Sequence, residues 1–325
     1  TALGSETFAG CKKLEQVTFA EGAGTVGTAT FGRLIITSTG SLVYDGCTAL
    51  NTVILGKNVK EIGAFTFAGC TSLTNIDLSG VVSVGMYAFA GCSNLSGLTG
   101  LDKIVIIEEG AFINCSGLAD LNLASAQYIG HVAFAGVGFT SLKLDSVVSI
   151  GSEAFRDGNA VTVNLPASLA SIGDGAFAHS VNLRSFTVDE GNKIFFAEDG
   201  VLYRNLAGQK GSYELCAYPS AKVMRLLDDG VRTYEIKEGT VSVQSYAFAL
   251  LNDNTVTKVK LPYSVKVLGS GAFNMSGITE LHFESINAPV LITEVDFGED
   301  NQSYSLYYSN FNDNFLNHYN PGVGP

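Results

Sequence analysis

Six cysteines and four histidines are the residues in this 325-residue chain best suited to chemistry. Cysteines could ligate a soft metal, form disulfides or act as nucleophiles. A zinc site asks for closely spaced pairs such as C-x-x-C, and the sequence has none. Instead Cys11, Cys47, Cys70, Cys92 and Cys115 each follow an aromatic residue by three: Phe8, Tyr44, Phe67, Phe89 and Phe112. After Phe134 and Phe155 the same slot holds Val137 and Gly158. A slot that accepts Cys, Val or Gly asks for a small filler, and a free thiol packs as a small hydrophobe. The five are expected as a buried ladder of free thiols, with Cys216 on a strand outside it. Stacked neighbours could still approach disulfide distance.

The remaining candidates are weaker. His131, His179, His282 and His318 make no H-x-H or H-x-x-x-H pair, and no G-x-S-x-G, Walker or dinucleotide motif occurs. No two of the 31 acidic residues stand out as a glycosidase pair. Residues 252–254 and 296–301 are the first places to look for calcium, yet neither keeps the EF-hand spacing. Asp189 with Glu190, Asp228 with Asp229, and Glu299 with Asp300 read as solvated turns, as do the sequons at Asn94, Asn114, Asn274 and Asn301. No catalytic residue, metal or cofactor is expected, and the chain is read as a non-enzyme.

The cysteine slot is one position in a larger repeat. With Phe or Tyr as anchor, ten copies are found: Phe8, Tyr44, Phe67, Phe89, Phe112, Phe134, Phe155, Phe177, Phe248 and Phe273. Between Tyr44 and Phe177 the steps are 23, 22, 23, 22, 21 and 22 residues. A unit this short cannot bury its own apolar face, so it must stack on its neighbours. Leu73, Ile76 and Leu78 follow Phe67, and the last two are spaced by two, the mark of a short half-buried strand. Parallel strands lie about 4.8 Å apart, so the array should be roughly 50 Å long. Phe8 to Tyr44 is 36 residues, which places a degenerate turn with an insertion at 22–41. GLTGLDKIVIIEEGAF after Phe89 predicts a bulge or irregular turn. From 189 to 235 the pattern lapses. There 201–203 and 213–218 predict a β-hairpin with a long tip, and 198–200 a turn. Phe177 to Phe248 is 71 residues, close to three units, so the stack should run through.

These units resemble leucine-rich repeats of the BspA type, whose pattern is roughly I-G-x-x-A-F-x-G-C-x-x-L-x-x-V-x-L-P-x-S-V. The matches at 62–82, 129–148 and 172–188 are close, and LPASLASIGDGAF (165–177) and LPYSVKVLGSGAF (261–273) carry the proline form. DGVLY with a later AYP is similar to a segment that interrupts the array in that family. The resemblance covers nearly the whole chain. It implies a right-handed leucine-rich repeat solenoid of short parallel strands, turns and short 3-10 or helical segments, interrupted by a β-hairpin insertion. It also implies secreted or surface-displayed, often bacterial, proteins that adhere to host matrix proteins or other cells. The expected organisation is one solenoid over 1–286, with the hairpin-containing insertion at 189–235, and a C-terminal cap or tail over 287–325.

A net charge of −12 and a pI near 4.7 argue against nucleic acid and anionic membranes as partners. With 46% hydrophobic and 15% charged residues the chain is a folded one. No run of about 18 apolar residues spans a membrane. No signal peptide is visible, and the sequence opens in mid-repeat, so a signal or anchor is expected to have been removed from it. The predicted location is extracellular or at the cell surface.

Binding surface is then the question. Residues alternating with the buried strand positions should line up across units on an exposed face: Asn75, Asp77, Asp120, Asn122, Lys143, Asp145, Lys258, Lys260, Glu280, His282 and Glu284. The partner expected there is a host matrix or surface protein. The alternative is a glycan held by a tail patch of Tyr304, Tyr307, Tyr308, Phe311 and Tyr319, since Tyr among Asn and Ser makes adaptable recognition surfaces. A structural spacer role is the third reading.

Overall fold

A computed structural model describes residues 5–19, 21–38, 41–208, 210–223, 231–249, 251, 256–274, 276–284, 290–291 and 305–308. The chain winds into a parallel β-solenoid of about nine turns. Among the described residues its single helix is a 3-10 turn, Leu101–Lys103, at the irregular stretch foreseen after Phe89. Each coil contributes one short strand to each of two walls. One wall, the turn ladder, hydrogen-bonds seven two-residue strands in unbroken register, from Thr25–Val26 to Ser171–Ile172. The second residue of every rung is a buried Val or Ile. After all of them but Ile107, which Glu108 follows, comes a glycine that is there for contact: a Cβ on Gly151 would sit 2.5 Å from the Gly130 carbonyl carbon.

The other wall carries the longer strands, such as Asn75–Asp77 and Asp120–Asn122. The sequence predicted a continuous sheet here. Up to Val188 the strands instead join in separate pairs, and only the C-terminal part forms a four-stranded sheet. Between Gly97–Thr99 and Asp120–Asn122 the 3-10 turn intervenes.

The two walls meet at a corner built around the anchor Phe. Residues two before and two after it take left-handed backbone: Tyr87 (φ 54°) and Gly91 (φ 70°) bracket Phe89, and Glu153 (φ 54°) and Asp157 (φ 67°) bracket Phe155. The alternation aims every second N–H along the solenoid axis. Phe65, Phe67 and Gly69 thereby donate to the carbonyls of Met86, Ala88 and Ala90 in the next coil at 2.7–2.8 Å. Beneath the corner the rings of Phe8, Phe31, Phe67, Phe89, Phe112, Phe134, Phe155 and Phe177 stack in one column, with centroids 5.1–5.7 Å apart.

That column corrects one anchor. Phe31, not Tyr44, fills the second rung, fully buried between Phe8 and Phe67. Tyr44 mimics an anchor because it precedes Cys47 by three residues. It belongs instead to a hairpin, Leu34–Ile36 with Leu42–Tyr44, inserted between Gly32 and Cys47. Arg33 and Asp45 at its base pair at 3.1 Å, and Lys12 and Glu6 join them from the first coil. The hairpin then lies along the corner. A Cβ on Gly69 would approach the Tyr44 carbonyl oxygen to 2.8 Å, and one on Gly91 the Tyr44 ring to 3.3 Å. Beyond its reach the same left-handed position holds Asn114, Asp157 and His179.

The insertion is larger than a hairpin. Phe195–Glu198, Val201–Asn205 and Tyr213–Ala217 form an antiparallel meander, and its last strand runs parallel to Thr240–Val243. Alternate residues face opposite ways. Phe195, Leu202 and Cys216 join the N-terminal core, whereas Val201, Tyr203 and Leu215 join a separate C-terminal one. The stack therefore does not run through as repeat coils. The turn ladder stops at Ser171–Ile172, and a second aromatic column begins with Tyr218 on Phe248 (4.8 Å) and Phe248 on Phe273 (5.1 Å). Within 287–325, where the sequence shows no repeat, Val290–Leu291 and Ser305–Tyr308 add one strand to each wall.

Substituting Gly69 by Ala must both hold a Cβ at φ 72° and push the Tyr44 backbone away. Gly69→Ala should cost at least 2 kcal/mol, roughly, and more than Gly91→Ala, whose neighbour is a movable ring. Chemical denaturation midpoints of the two variants check the order.

Candidate interaction surfaces

The residues predicted for the strand face lie on several separate small sheets. Asn75 and Asp77 are exposed on either side of buried Ile76, and Asp120 and Asn122 flank buried Leu121. Gly97 and Thr99 lie opposite the first pair, and Ser141 and Lys143 opposite the second. Lys143 reaches Asp145 at 3.0 Å. Beyond the meander, Lys258 pairs with Glu280 and Lys260 with Glu235, both across neighbouring strands, and His282 lies opposite Lys260. These C-terminal lysines are thus half-buried and neutralised. Glu284 is exposed at the end of its strand.

Short polar side chains brace the middle of this face. Thr99 donates to Asp77 at 2.9 Å, and Ser79 donates to the same oxygen from its N–H (2.9 Å) and hydroxyl (2.5 Å). The Ser79 hydroxyl is the largest of these influences, and together they hold the Asp77 carboxyl below its ordinary value. Thr187 donates to Asn164 and Asn164 to Asp189, each at 2.8 Å. Thr99, Asn164, Thr187 and Glu235 belong to the face and were missed by the sequence reading, although they occupy the strand positions already singled out in other units.

Of the tail patch, Tyr307 and Tyr308 lie in the strand Ser305–Tyr308, opposite His282 and Phe283. Tyr304, Phe311 and Tyr319 fall outside the described residues, as do His318 and the segments 252–254 and 296–301.

The thiol ladder is present with one exception. Cys47, Cys70, Cys92, Cys115 and Cys216 are free and buried, whereas Cys11 is exposed. Among the described residues no coil covers Cys11 on its outer side. Each laddered thiol donates to the anchor carbonyl one coil back: Cys47 to Phe8 (2.9 Å), Cys92 to Phe67 (3.1 Å), Cys115 to Phe89 (3.0 Å) and, more loosely, Cys70 to Phe31 (3.9 Å). Burial pushes the Cys92 thiol up to about 12 and those of Cys115 and Cys216 well above their ordinary value. Cys70 is raised as well, through its contact with the Cys47 thiol, and the same contact lowers Cys47. No group of three or more His, Cys, Asp or Glu is placed to hold a metal among the described residues.

A second surface escaped the sequence reading. On the outside of the turn ladder Val82, Ile106, Tyr128 and Val148 are 41–47% exposed and sit in four successive coils. The available signal was an apolar residue ahead of each buried rung residue, as in Val82-Ser83-Val84 and Gln127-Tyr128-Ile129. A narrow cleft with room for little more than one water also opens where the two cores meet, lined by Ile172, Phe177, Cys216, Tyr218, Gln244 and Tyr246 among others. Gln244 spans it to the Ile172 carbonyl at 3.4 Å, in the place of a missing ladder rung.

With this geometry in view, a family model described as "BspA type Leucine rich repeat region" matches residues 1–40, 37–157, 127–198 and 229–311, in six copies. The chain belongs to the BspA-type leucine-rich repeat family. The match takes in the first aromatic column of this BspA-type solenoid and Phe248 and Phe273 of the second, and a leucine-rich repeat solenoid is typically a non-enzymatic scaffold. Among solved structures, the chain is similar to a leucine rich cell surface protein from Faecalibacterium prausnitzii A2-165. They share 21% identity and a TM-score of 0.68, over 96% of this chain and 92% of that one. It is also similar to the pneumococcal vaccine antigen PcpA, at 22% identity and a TM-score of 0.54, over 86% of this chain and 62% of that one. No curated protein matches the sequence. No described helix is long and apolar enough to cross a membrane.

Two measurements follow from the charges and thiols. A depressed carboxyl stabilises the fold above the unfolded carboxylate pKa, near 3.9, and that contribution disappears as pH falls through the folded value. Asp77→Asn should lower the thermal midpoint by about 1–2 °C at pH 7, and the difference should close below about pH 4. Native protein at pH 7.5 should offer one rapidly reacting thiol to a disulfide reagent, Cys11, with all six titrating only after denaturation.

Proposed function

We propose that this BspA-type protein is displayed at a cell surface or secreted, and binds another protein through its strand face, as an adhesion module. The observation that carries the reading is the face itself. From Asn75 to Thr187 its outward side chains are mostly short and polar, and several are tied to one another across strands. A partner would meet a surface whose side chains have little rotamer freedom left to lose, which lowers the cost of association. The two similar structures, one named a cell surface protein and the other a vaccine antigen, agree with the location. Host matrix or other surface proteins are the partner class.

The glycan reading keeps one specific support. The strand Ser305–Tyr308 continues the sheet that carries Lys258, Glu280 and His282, with the backbone of Tyr307 in register with that of His282. A single footprint spanning both is the form in which this second reading would hold.

Binding of the purified chain to arrays of matrix proteins and glycans tests both. We expect a matrix protein to bind, with Asn122→Arg weakening it tenfold or more, roughly, by placing a long cation in the centre of the face. Deletion of 304–325 should leave that binding intact, with circular dichroism confirming the fold. Glycan binding lost with the deletion would replace the first reading by the second. Binding unaffected by Asn122→Arg would remove the strand face from the interface.

A further inference from the structure

The turn ladder presents two outward columns. Val82, Val105, Gln127 and Val148 are linked by N–H to carbonyl bonds of 2.8–2.9 Å, and Ser83, Ile106, Tyr128 and Ser149 lie beside them in register. Taken coil by coil the pairs read Val-Ser, Val-Ile, Gln-Tyr, Val-Ser. The island contains no charge, and reversing the order of its coils exchanges the two identical outer pairs, Val82-Ser83 and Val148-Ser149, and sets Ile106 against Tyr128 and Val105 against Gln127. Lys60 and Glu61 precede it, and Ala170 and Ser171 follow it.

We propose that this face pairs with the same face of a second copy of the chain, related by a twofold axis that runs parallel to the ladder strands between Ile106 and Tyr128. Isologous contacts require a self-complementary patch, and this operation makes the island one. It sets Val82 on the partner copy's Val148, Ile106 on Tyr128, and Ser83 on Ser149. It also sets Lys60 and Glu61 against Ala170 and Ser171, so two chains of net charge −12 meet without opposing like charges. A twofold along the solenoid axis would instead place Val82 over Ser83 and Val148 over Ser149, and leave only Val105 on an aliphatic partner, Ile106. The strand face offers no comparable patch, since its middle carries Asp77 and Asp120.

The area sets the strength. Six coils at about 4.8 Å and four residues of about 3.4 Å give roughly 390 Å² per protomer, just under half of the ~800 Å² typical of a stable interface. The dimer is therefore weak and concentration-dependent. Two copies held side by side on one surface would form it more readily than dilute protein, because tethering raises the effective concentration.

Sedimentation equilibrium tests it. The weight-average mass should rise from 34.2 kDa toward twice that value between about 5 and about 500 µM. Ile106→Lys and the milder Tyr128→Gln should each stay monomeric over that range, with unchanged circular dichroism. Mixing Val82→Cys with Val148→Cys should give mixed disulfide dimers in excess of those either variant forms alone, in a background with Cys11→Ser. A constant mass in the unmodified chain overturns the proposal. So does dimerisation that survives both substitutions, or crosslinking of Val82→Cys mainly to itself.

Discussion

Everything in this solenoid depends on how one coil hands its backbone hydrogen bonds to the next. A residue in left-handed backbone on either side of the anchor Phe turns the corner and points the N–H groups along the axis. The next coil must then supply carbonyls at the same spacing, which only another copy of the corner does. The glycine after every rung but Ile106–Ile107 lets successive coils approach until a Cβ would collide with backbone. The ring stack follows from the same repeat, because identical corners place successive rings about 5 Å apart. Side chains of very different type are accepted at the left-handed positions, from Phe65 and Tyr87 to Glu153 and Asp157. The steric cost there, about 1–2 kcal/mol per residue, is offset by three interchain-like hydrogen bonds and a buried ring per coil.

That regularity is why the architecture could be read from sequence. A period near 22 residues, the anchors, and Val or Ile before Gly each report a position fixed by contact with neighbouring coils. What failed did so where local pattern and contact part company. Tyr44 carries the anchor's spacing to Cys47, but the loop between Gly32 and Cys47 removes it from the column, and only the stack on Phe8 and Phe67 identifies Phe31. The meander was seen as a hairpin because its first strand, Phe195–Glu198, has no repeat neighbour to mark it. That it is buried on both faces, and so divides the core, depends on what packs against it.

The candidate sites show the same division. Alternation within a strand put Asn75, Asp77, Asp120 and Asn122 on the outward side, where they are exposed, but Lys258, Lys260, Glu280 and His282 are partly buried. It could not tell which lysines are spent on Glu235 and Glu280, because those pairings depend on register between strands. The apolar island was overlooked for a related reason. Two-residue strands are too short to show alternation, so Val82, Ile106, Tyr128 and Val148 read as core until their exposure is known. The two walls consequently differ in chemistry, one polar and braced, the other carrying an uncharged apolar island beyond Lys60 and Glu61. A solenoid can thus offer two unlike surfaces to two unlike neighbours at once.

The meander has a mechanical consequence. Tension on an end of a parallel coil array loads its rungs one after another, so coils peel away singly and each releases only its own ring and a few hydrogen bonds. Phe195–Glu198, Val201–Asn205 and Tyr213–Ala217 lie across that path, antiparallel to one another and clamped by a core on each face. Peeling that begins at either end must break this sheet and unseat Leu202 and Tyr203 from opposite cores before it can pass. The segment that interrupts the repeat is thereby the stop that keeps damage in one half of the molecule from unravelling the other.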